Sequence, residues 1–161
     1  MSPIIFCDMD GVLCDFYGAA NKLSPNGIDN LSVPELWSYT RNQTRFWYDL
    51  EWMPGGQAIW ALTDKYKGHI LSSLPYSDSN SKPGKLYWLR KNINLTDRDR
   101  IHLTTSRHHK KRFAVSQGTS NILIDDYHKN ITEWNDAGGI GILHTDSAKT
   151  LDQLAAAGFE L

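Results

Sequence analysis

Four short, uninterrupted apolar runs recur along this chain, and they limit the folds that it can adopt. They cover residues 4–7, 69–71, 122–124 and 140–143, with a weaker fifth run at 101–103. Runs of this length without polar alternation are typical of strands buried on both faces of a parallel sheet. The sequence therefore predicts a parallel sheet that is covered on both sides.

Segments with helical patterning separate these runs. Strands that alternate with helices predict an α/β fold with a doubly wound parallel sheet. Right-handed crossovers then bring the C-terminal ends of the strands to one edge, where ligands bind. The predicted helices cover residues 56–66, 81–91, 128–137 and 147–157.

One stretch, residues 17–53, interrupts the alternation and is rich in aromatic and turn-forming residues. We interpret it as a small, mainly helical cap insertion that lies over the ligand-binding edge. Residues 1–16 and 54–161 would then form the core domain.

Composition excludes some classes of partner. The 161 residues carry a net charge of -1, so no global charge draws the chain to nucleic acid or to anionic membranes. No segment approaches the about 20 apolar residues of a membrane helix, and we expect a cytoplasmic protein. Cys7 and Cys14 are then expected to be reduced thiols, with a disulfide as the alternative.

The clearest chemical motif is Asp8-Met9-Asp10-Gly11, directly after the first apolar run. The first carboxylate projects from the strand end, and glycine permits the tight turn that follows it. One carboxylate can attack phosphorus while the other exchanges a proton. The alternative interpretation is an acidic turn without catalytic function.

A second acidic pair, Asp125-Asp126, ends the run at 122–124. Adjacent carboxylates at a strand end need a positive neighbour, and a hard divalent cation with oxygen ligands can supply it. Asp126 could instead cap the helix that starts near His128. The pair therefore predicts a metal site, with helix capping as the alternative for its second member.

Phosphate ligands are predicted at two further places. Ser72 and Ser73 follow the run at 69–71, and their hydroxyl groups could bind phosphate oxygens. The basic stretch 107–112 could contribute one lysine, Lys110 or Lys111, while its other members lie on the surface. Serines that simply start a loop are the alternative for the first pair.

The order of these motifs resembles the haloacid dehalogenase superfamily of phosphohydrolases. Asp8 to Leu13 is similar to its first motif and Ser72 to its second. Lys110 or Lys111 is similar to the third motif, and Asp125-Asp126 to the fourth. A closer resemblance, to the 5'(3')-deoxyribonucleotidases, is carried by the stretches 46–55 and 123–134.

The resemblance implies a mechanism. Asp8 would form an aspartyl-phosphate, and Asp10 would act as acid and then as base. Mg²⁺ would be held by Asp8, the backbone carbonyl of Asp10 and Asp125, with Asp126 acting through water. Ser72 or Ser73 and one of the two lysines would bind the phosphoryl oxygens.

The expected substrate is a small phosphomonoester, and we expect it to be a nucleoside monophosphate. Phe46 and Trp47 are the candidates for stacking on a base, which contributes about 1–3 kcal/mol per base; in the alternative, they form the core of the cap. Competing functions are a phosphatase for another small metabolite or a polynucleotide 3'-phosphate, and a catalytically silent nucleotide-binding module.

Overall fold

A computed structural model describes residues 2–160 of the chain. Its strands are β1 (Ile5–Cys7), β2 (His69–Ser73), β3 (Ile101–Thr104), β4 (Val115–Ser116), β5 (Thr119–Ser120), β6 (Ile122–Asp125) and β7 (Ile140–Leu143). Five of them form one parallel sheet in the order β3-β2-β1-β6-β7, while β4 and β5 pair as a small antiparallel hairpin. All five predicted strands are therefore confirmed, whereas the hairpin was not predicted.

Helices cover both faces of the sheet. The described α-helices are α1 (Phe16–Asn21), α2 (Val33–Arg41), α3 (Gly56–Lys65), α4 (Ser81–Ile93), α5 (His128–Asp136) and α6 (Ser147–Ala156). The four predicted helices correspond to α3, α4, α5 and α6. The basic stretch forms a 3-10 helix, Arg107–Phe113, which leads into the β4–β5 hairpin.

Successive residues of the central strands alternate between two apolar clusters. In β1, Ile5 and Cys7 belong to one cluster and Phe6 to the other. Ile122 and Leu123 of β6 divide in the same way. Because side chains in a strand point alternately to opposite faces, uninterrupted apolar runs are what a sheet covered on both sides requires.

The strand order reverses direction between β1 and β6. From β1 the chain proceeds outwards through β2 to β3, and it then returns to place β6 on the other side of β1. This is the topological switch point at which open α/β sheets bind ligands beyond the C-terminal strand ends. Asp8 follows β1 and Asp125 ends β6, so both acidic motifs lie at this point.

Residues 17–53 contain α2 and most of α1, joined and followed by turns. Helix α2 begins with a capping box, in which Ser32 and Glu35 exchange hydrogen bonds, and Pro34 lies in its first turn. The division into a core and a cap at these boundaries stays a prediction. Within residues 2–160, no helix has the length and apolar character needed to cross a membrane.

Candidate active site

Asp8 and Asp10 lie on the turn that leaves β1. The backbone N–H of Asp8 still pairs with the carbonyl of Ile124 at 2.9 Å, so the sheet fixes the start of the turn. The carboxylate of Asp8 is almost fully buried, and its Oδ1 accepts a hydrogen bond from the backbone N–H of Met9 at 2.8 Å. Gly11 has a φ of 81°, which L side chains rarely adopt, and this explains the glycine of the motif.

Asp125 is fully buried at the end of β6, and each of its carboxylate oxygens has a partner. Oδ1 accepts from the backbone N–H of Tyr127 at 2.9 Å. Oδ2 accepts from Nδ2 of Asn130 at 2.9 Å and from Nζ of Lys110 at 2.7 Å. These bonds offset the cost of burying the carboxylate and hold it in one orientation.

The carboxylates of Asp8, Asp125 and Asp126 converge. One oxygen atom from each lies within 4.8 Å of the others. Burial, followed by the charges of Asp8 and Asp125, raises the pKa of Asp126 to about 7. Such a crowded set of hard oxygen donors fits a divalent cation, which would relieve the repulsion among them. The side chain of Asp10 lies outside this set, and the predicted use of its backbone carbonyl as a ligand stays a prediction.

Lys110 is the lysine that the structure brings to these carboxylates. Its side chain is 3% exposed, and its ammonium group lies 3.0 Å from Oδ1 of Asp8 and 2.7 Å from Oδ2 of Asp125. Burial lowers its pKa, but the charges of these two carboxylates outweigh burial and raise it overall, so the ammonium stays charged. Lys111 is exposed and does not take part in the site.

Lys85 was not predicted, and it makes three contacts at the site. This fully buried residue of α4 donates to Oδ2 of Asp10, to Oγ of Ser72 and to the carbonyl of Ser73, each at 2.8 Å. It lies within a helix that has no clear apolar pattern, so periodicity does not reveal that its side chain points inwards. The sequence does not distinguish Lys85 from Lys82 and Lys91, which are exposed in the same helix.

The environment of Asp10 suits an acid. Burial, opposed by Lys85 and reinforced by the charge of Asp8, raises the pKa of this carboxyl group above its ordinary value. Oδ2 is held by Lys85, whereas Oδ1 is a buried atom without a hydrogen-bond partner among the described residues. The shielding of this oxygen from solvent is part of the burial that raises the pKa.

Ser72 and Ser73 differ in their surroundings. Ser72 is 1% exposed, and its hydroxyl oxygen accepts from Lys85. Ser73 is partly exposed, and its side chain lies 3.4 Å from the hydroxyl group of Thr104 on the neighbouring strand. Both residues line the cavity that contains the acidic side chains, so both remain candidates for binding phosphate.

The structure does not support the prediction that Phe46 and Trp47 stack on a base. Phe46 packs edge-on against Phe16 and Trp47, and it lines a different depression. Trp47 reaches the cavity, but it is 1% exposed, stacks on Phe16 at 5.4 Å and is therefore already covered. The faces of both rings are occupied by protein, and both rings belong to the apolar cluster that also contains Ile5 and Cys7 of β1, not to a separate core of the cap.

A cavity of about 480 Å³ opens above the carboxylates. Its floor contains Asp8, Asp10, Asp125 and Asp126, while α1, α2 and the loop after β2 form its walls. Tyr17 is 51% exposed there, so its ring offers an open face that Phe46 does not. The apolar and aromatic side chains that line it include Tyr17, Val33, Leu36, Trp37, Leu74 and Tyr127.

The chain is similar to known proteins in sequence and in fold. A curated protein of Vibrio phage KVP40, named "Putative 5'(3')-deoxyribonucleotidase", is 30% identical over 137 residues, which are 80% of this chain and 68% of that protein. A crystal structure of a hydrolase from Streptococcus pneumoniae TIGR4 shares the fold, with a TM-score of 0.58 and 16% identity over 94% of this chain and 97% of that one. No protein-family model matches the chain.

A parallel sheet with Asp8, Asp10, Lys110 and Asp125 at its switch point defines an α/β phosphohydrolase of the haloacid dehalogenase type. The similarity to the phage protein is more specific than the fold. The chain belongs to the 5'(3')-deoxyribonucleotidase family.

Proposed function

We propose that this protein is a Mg²⁺-dependent phosphomonoesterase that removes the phosphoryl group from (deoxy)nucleoside monophosphates through an aspartyl-phosphate. One observation carries the proposal: Nζ of Lys110 lies 3.0 Å from Oδ1 of Asp8 and 2.7 Å from Oδ2 of Asp125. Both carboxylates belong to the three-carboxylate cluster on the cavity floor. The proposed nucleophile, a buried ammonium group and carboxylate oxygens close enough together to bind one metal ion therefore lie next to each other.

In the first step, a carboxylate oxygen of Asp8 attacks phosphorus and the phosphorus–ester oxygen bond breaks. The departing alkoxide takes a proton from Asp10, whose raised pKa favours the protonated form that this step needs. In the second step, Asp10 takes a proton from water, the water oxygen attacks phosphorus, and the bond to Asp8 breaks. Inorganic phosphate leaves, and both aspartates return to their starting states.

Two lysines prepare these groups. Lys110 lies beside the nucleophile, where its charge offsets the repulsion between a carboxylate and a phosphate dianion. Lys85 holds Oδ2 of Asp10 and thereby orients the carboxyl group that exchanges the proton. Ser72, fixed by the same ammonium, presents its hydroxyl group to a phosphoryl oxygen.

The metal would be held by Asp8, Asp125 and Asp126, because their oxygen atoms already form a compact set. When bound there, Mg²⁺ supplies positive charge that neutralises the phosphoryl oxygens and the nucleophile. Asp125 is the firmest of these ligands, since Asn130 and the backbone of Tyr127 also orient its carboxylate.

The nucleotide part of the proposal rests on the relative's name and on the cavity walls. Tyr17, Trp37 and Tyr127 line the cavity, and aromatic walls above a phosphate site suit a nucleobase. These rings replace Phe46 and Trp47 as candidates for contact with the base.

The test measures phosphate release from a panel of nucleoside monophosphates and from 2-deoxyribose 5-phosphate, which lacks a base. We expect turnover with Mg²⁺, loss of turnover with EDTA, and preference for substrates with a base. Asp8→Asn should remove nearly all activity, while Asp64→Asn at the exposed end of α3 serves as the matched control. Turnover that survives chelation, or in Asp8→Asn, would contradict the mechanism.

A further inference from the structure

A buried carboxylate outside the catalytic set joins the cap segment to the core. Asp78 lies in the loop between β2 and α4 and is 1% exposed. Its Oδ2 accepts from the hydroxyl group of Thr40 and from the indole N–H of Trp47, each at 2.8 Å. Its Oδ1 accepts from the backbone N–H of Asn80 at 3.1 Å.

The two donors to Oδ2 both come from residues 17–53. Thr40 lies in the last turn of α2, the helix that contributes Val33, Leu36 and Trp37 to the cavity wall. A second contact connects the end of α2 to the same loop, because the guanidinium of Arg41 donates to the carbonyl of Ser77. It is exposed, however, and an exposed contact of this kind contributes little.

On the core side, Asp78 is continuous with the catalytic residues. The hydroxyl group of Ser81 donates to its carbonyl at the start of α4, and Lys85 follows one turn later. The ring of Trp47, held by Asp78, lies 5.1 Å from the ammonium of Lys85. Gly84 lets α4 approach Trp47 this closely, since a methyl group there would overlap Cβ of the tryptophan.

A buried carboxylate is stable only when its hydrogen bonds replace those lost from water. Hydrogen bonds to a charged group contribute about 1.5–3 kcal/mol each, roughly twice the value of neutral ones. Asp78 therefore holds α2 at one distance from the loop that follows Ser73, and that distance sets the width of the cavity.

We infer that Asp78 is a positioning residue, which clasps α2 onto the core and thereby sets the selectivity for substrates that carry a base. This inference rests on the proposed function. The phosphoryl group is bound by the floor of the cavity, so loosening the clasp affects only the part of the substrate that reaches the wall formed by α2.

The experiment compares two isosteric substitutions, Thr40→Val and Thr63→Val. Both threonines are fully buried in helices with the hydroxyl group near a backbone carbonyl of the same helix, but only the hydroxyl of Thr40 also lies within 2.8 Å of Asp78, its shorter contact. For Thr40→Val we expect kcat/KM for dTMP to fall about tenfold through KM, while kcat/KM for 2-deoxyribose 5-phosphate changes less than about twofold. For Thr63→Val the ratio between the two substrates should equal that of the unmodified protein.

Hydrogen exchange supplies a readout that does not depend on activity. Thr40→Val should accelerate amide exchange in residues 33–41 but not in residues 56–65, and Thr63→Val should leave residues 33–41 unchanged. Unchanged exchange in 33–41 of Thr40→Val would overturn the clasp, and equal losses for both substrates would overturn its role in selectivity. An unmodified protein that releases no phosphate from any nucleotide would refute the proposed function, while the exchange data would still decide whether the clasp exists.

Discussion

The ammonium group of Lys85 lies 2.8 Å from Oδ2 of Asp10, although 75 residues separate the two in the chain. The same nitrogen also binds Ser72 and the carbonyl of Ser73, so one cation connects the turn after β1 with the end of β2. Lys110 makes the corresponding connection between the ends of β1 and β6. Two buried lysines therefore hold together the three central strand ends.

Replacing Lys85 should damage catalysis more than binding. In Lys85→Met, Asp10 loses the charge that holds its Oδ2, and we expect kcat to fall about 100-fold or more, the lower range for loss of a positioned acid or base. Lys82→Met, an exposed position of the same helix, is the matched control and should retain normal kcat. A kcat for Lys85→Met within about threefold of normal would exclude this role.

Lys110 and Lys111 should differ sharply. Lys110→Met removes the charge between Asp8 and Asp125, so turnover should fall by at least about 100-fold because transition-state charge is no longer offset. Lys111→Met changes an exposed side chain and should leave steady-state kinetics unchanged. The opposite ranking of the two variants would reassign the phosphate-binding lysine.

Gly11→Ala should disrupt the carboxylate cluster formed by Asp8, Asp125 and Asp126. An added methyl group would overlap the carboxylate of Asp126, at a φ of 81° that already disfavours alanine. Gly118→Ala is a useful control, since its φ of 78° is nearly the same but open space surrounds it. Calorimetric titration with Mg²⁺ should therefore show binding weakened about tenfold or more in Gly11→Ala only. Equal weakening in both variants would contradict the overlap with Asp126 as the cause.

In mild acid, a histidine pair on β2 and β3 should contribute a loss of stability. Nδ1 of His69 lies 2.9 Å from Nε2 of His102, and burial, reinforced at His69 by His102 and Arg100, lowers the pKa of both rings below 6.5. At these two rings the unfolded chain binds protons more readily than the folded one, so their contribution to the free energy of unfolding should fall as the pH drops below about 6.5. Asp126 contributes with the opposite sign, because its raised pKa makes the folded chain bind a proton more readily at that carboxyl group.

Denaturant titrations at pH 7.5, 6.5 and 5.5 measure this effect. His102→Gln should reduce the proton uptake on unfolding by up to about one proton. His128→Gln, an exposed position at the start of α5, should leave the pH dependence unchanged. If the free energy of unfolding changes with pH equally in His102→Gln and in the unmodified protein, the histidine pair is not the source of the pH dependence.

Much of the fold follows from local pattern. The central strands were predictable because residues buried on two faces leave an uninterrupted apolar run. The edge strand β7 also begins and ends at the predicted residues, although only Ile142 in it is buried. The hairpin β4–β5 was not predicted because each of its strands has only two residues, too few to show a periodic pattern. The 3-10 helix at 107–113 was not predicted either, because its sequence pattern does not differ from that of the first turns of an α-helix.

The acidic residues of the site were predictable for a topological reason. In a doubly wound parallel sheet, the ends of neighbouring strands must meet at one edge, so polar residues that directly follow apolar runs are brought together. Asp8 and Asp125 satisfy this condition, as do Ser72 and Ser73, and their convergence needs no knowledge of side-chain contacts.

Sequence by itself determined the order of the elements, the buried strands and the carboxylates at their ends, because each depends on residues near one another in the chain. Only the tertiary structure decided that Lys110 rather than Lys111 turns inwards, that Lys85 reaches Asp10, and that Phe46 is covered by other rings. Those outcomes depend on which distant surface packs against a side chain. Local spacing carries no information about that surface.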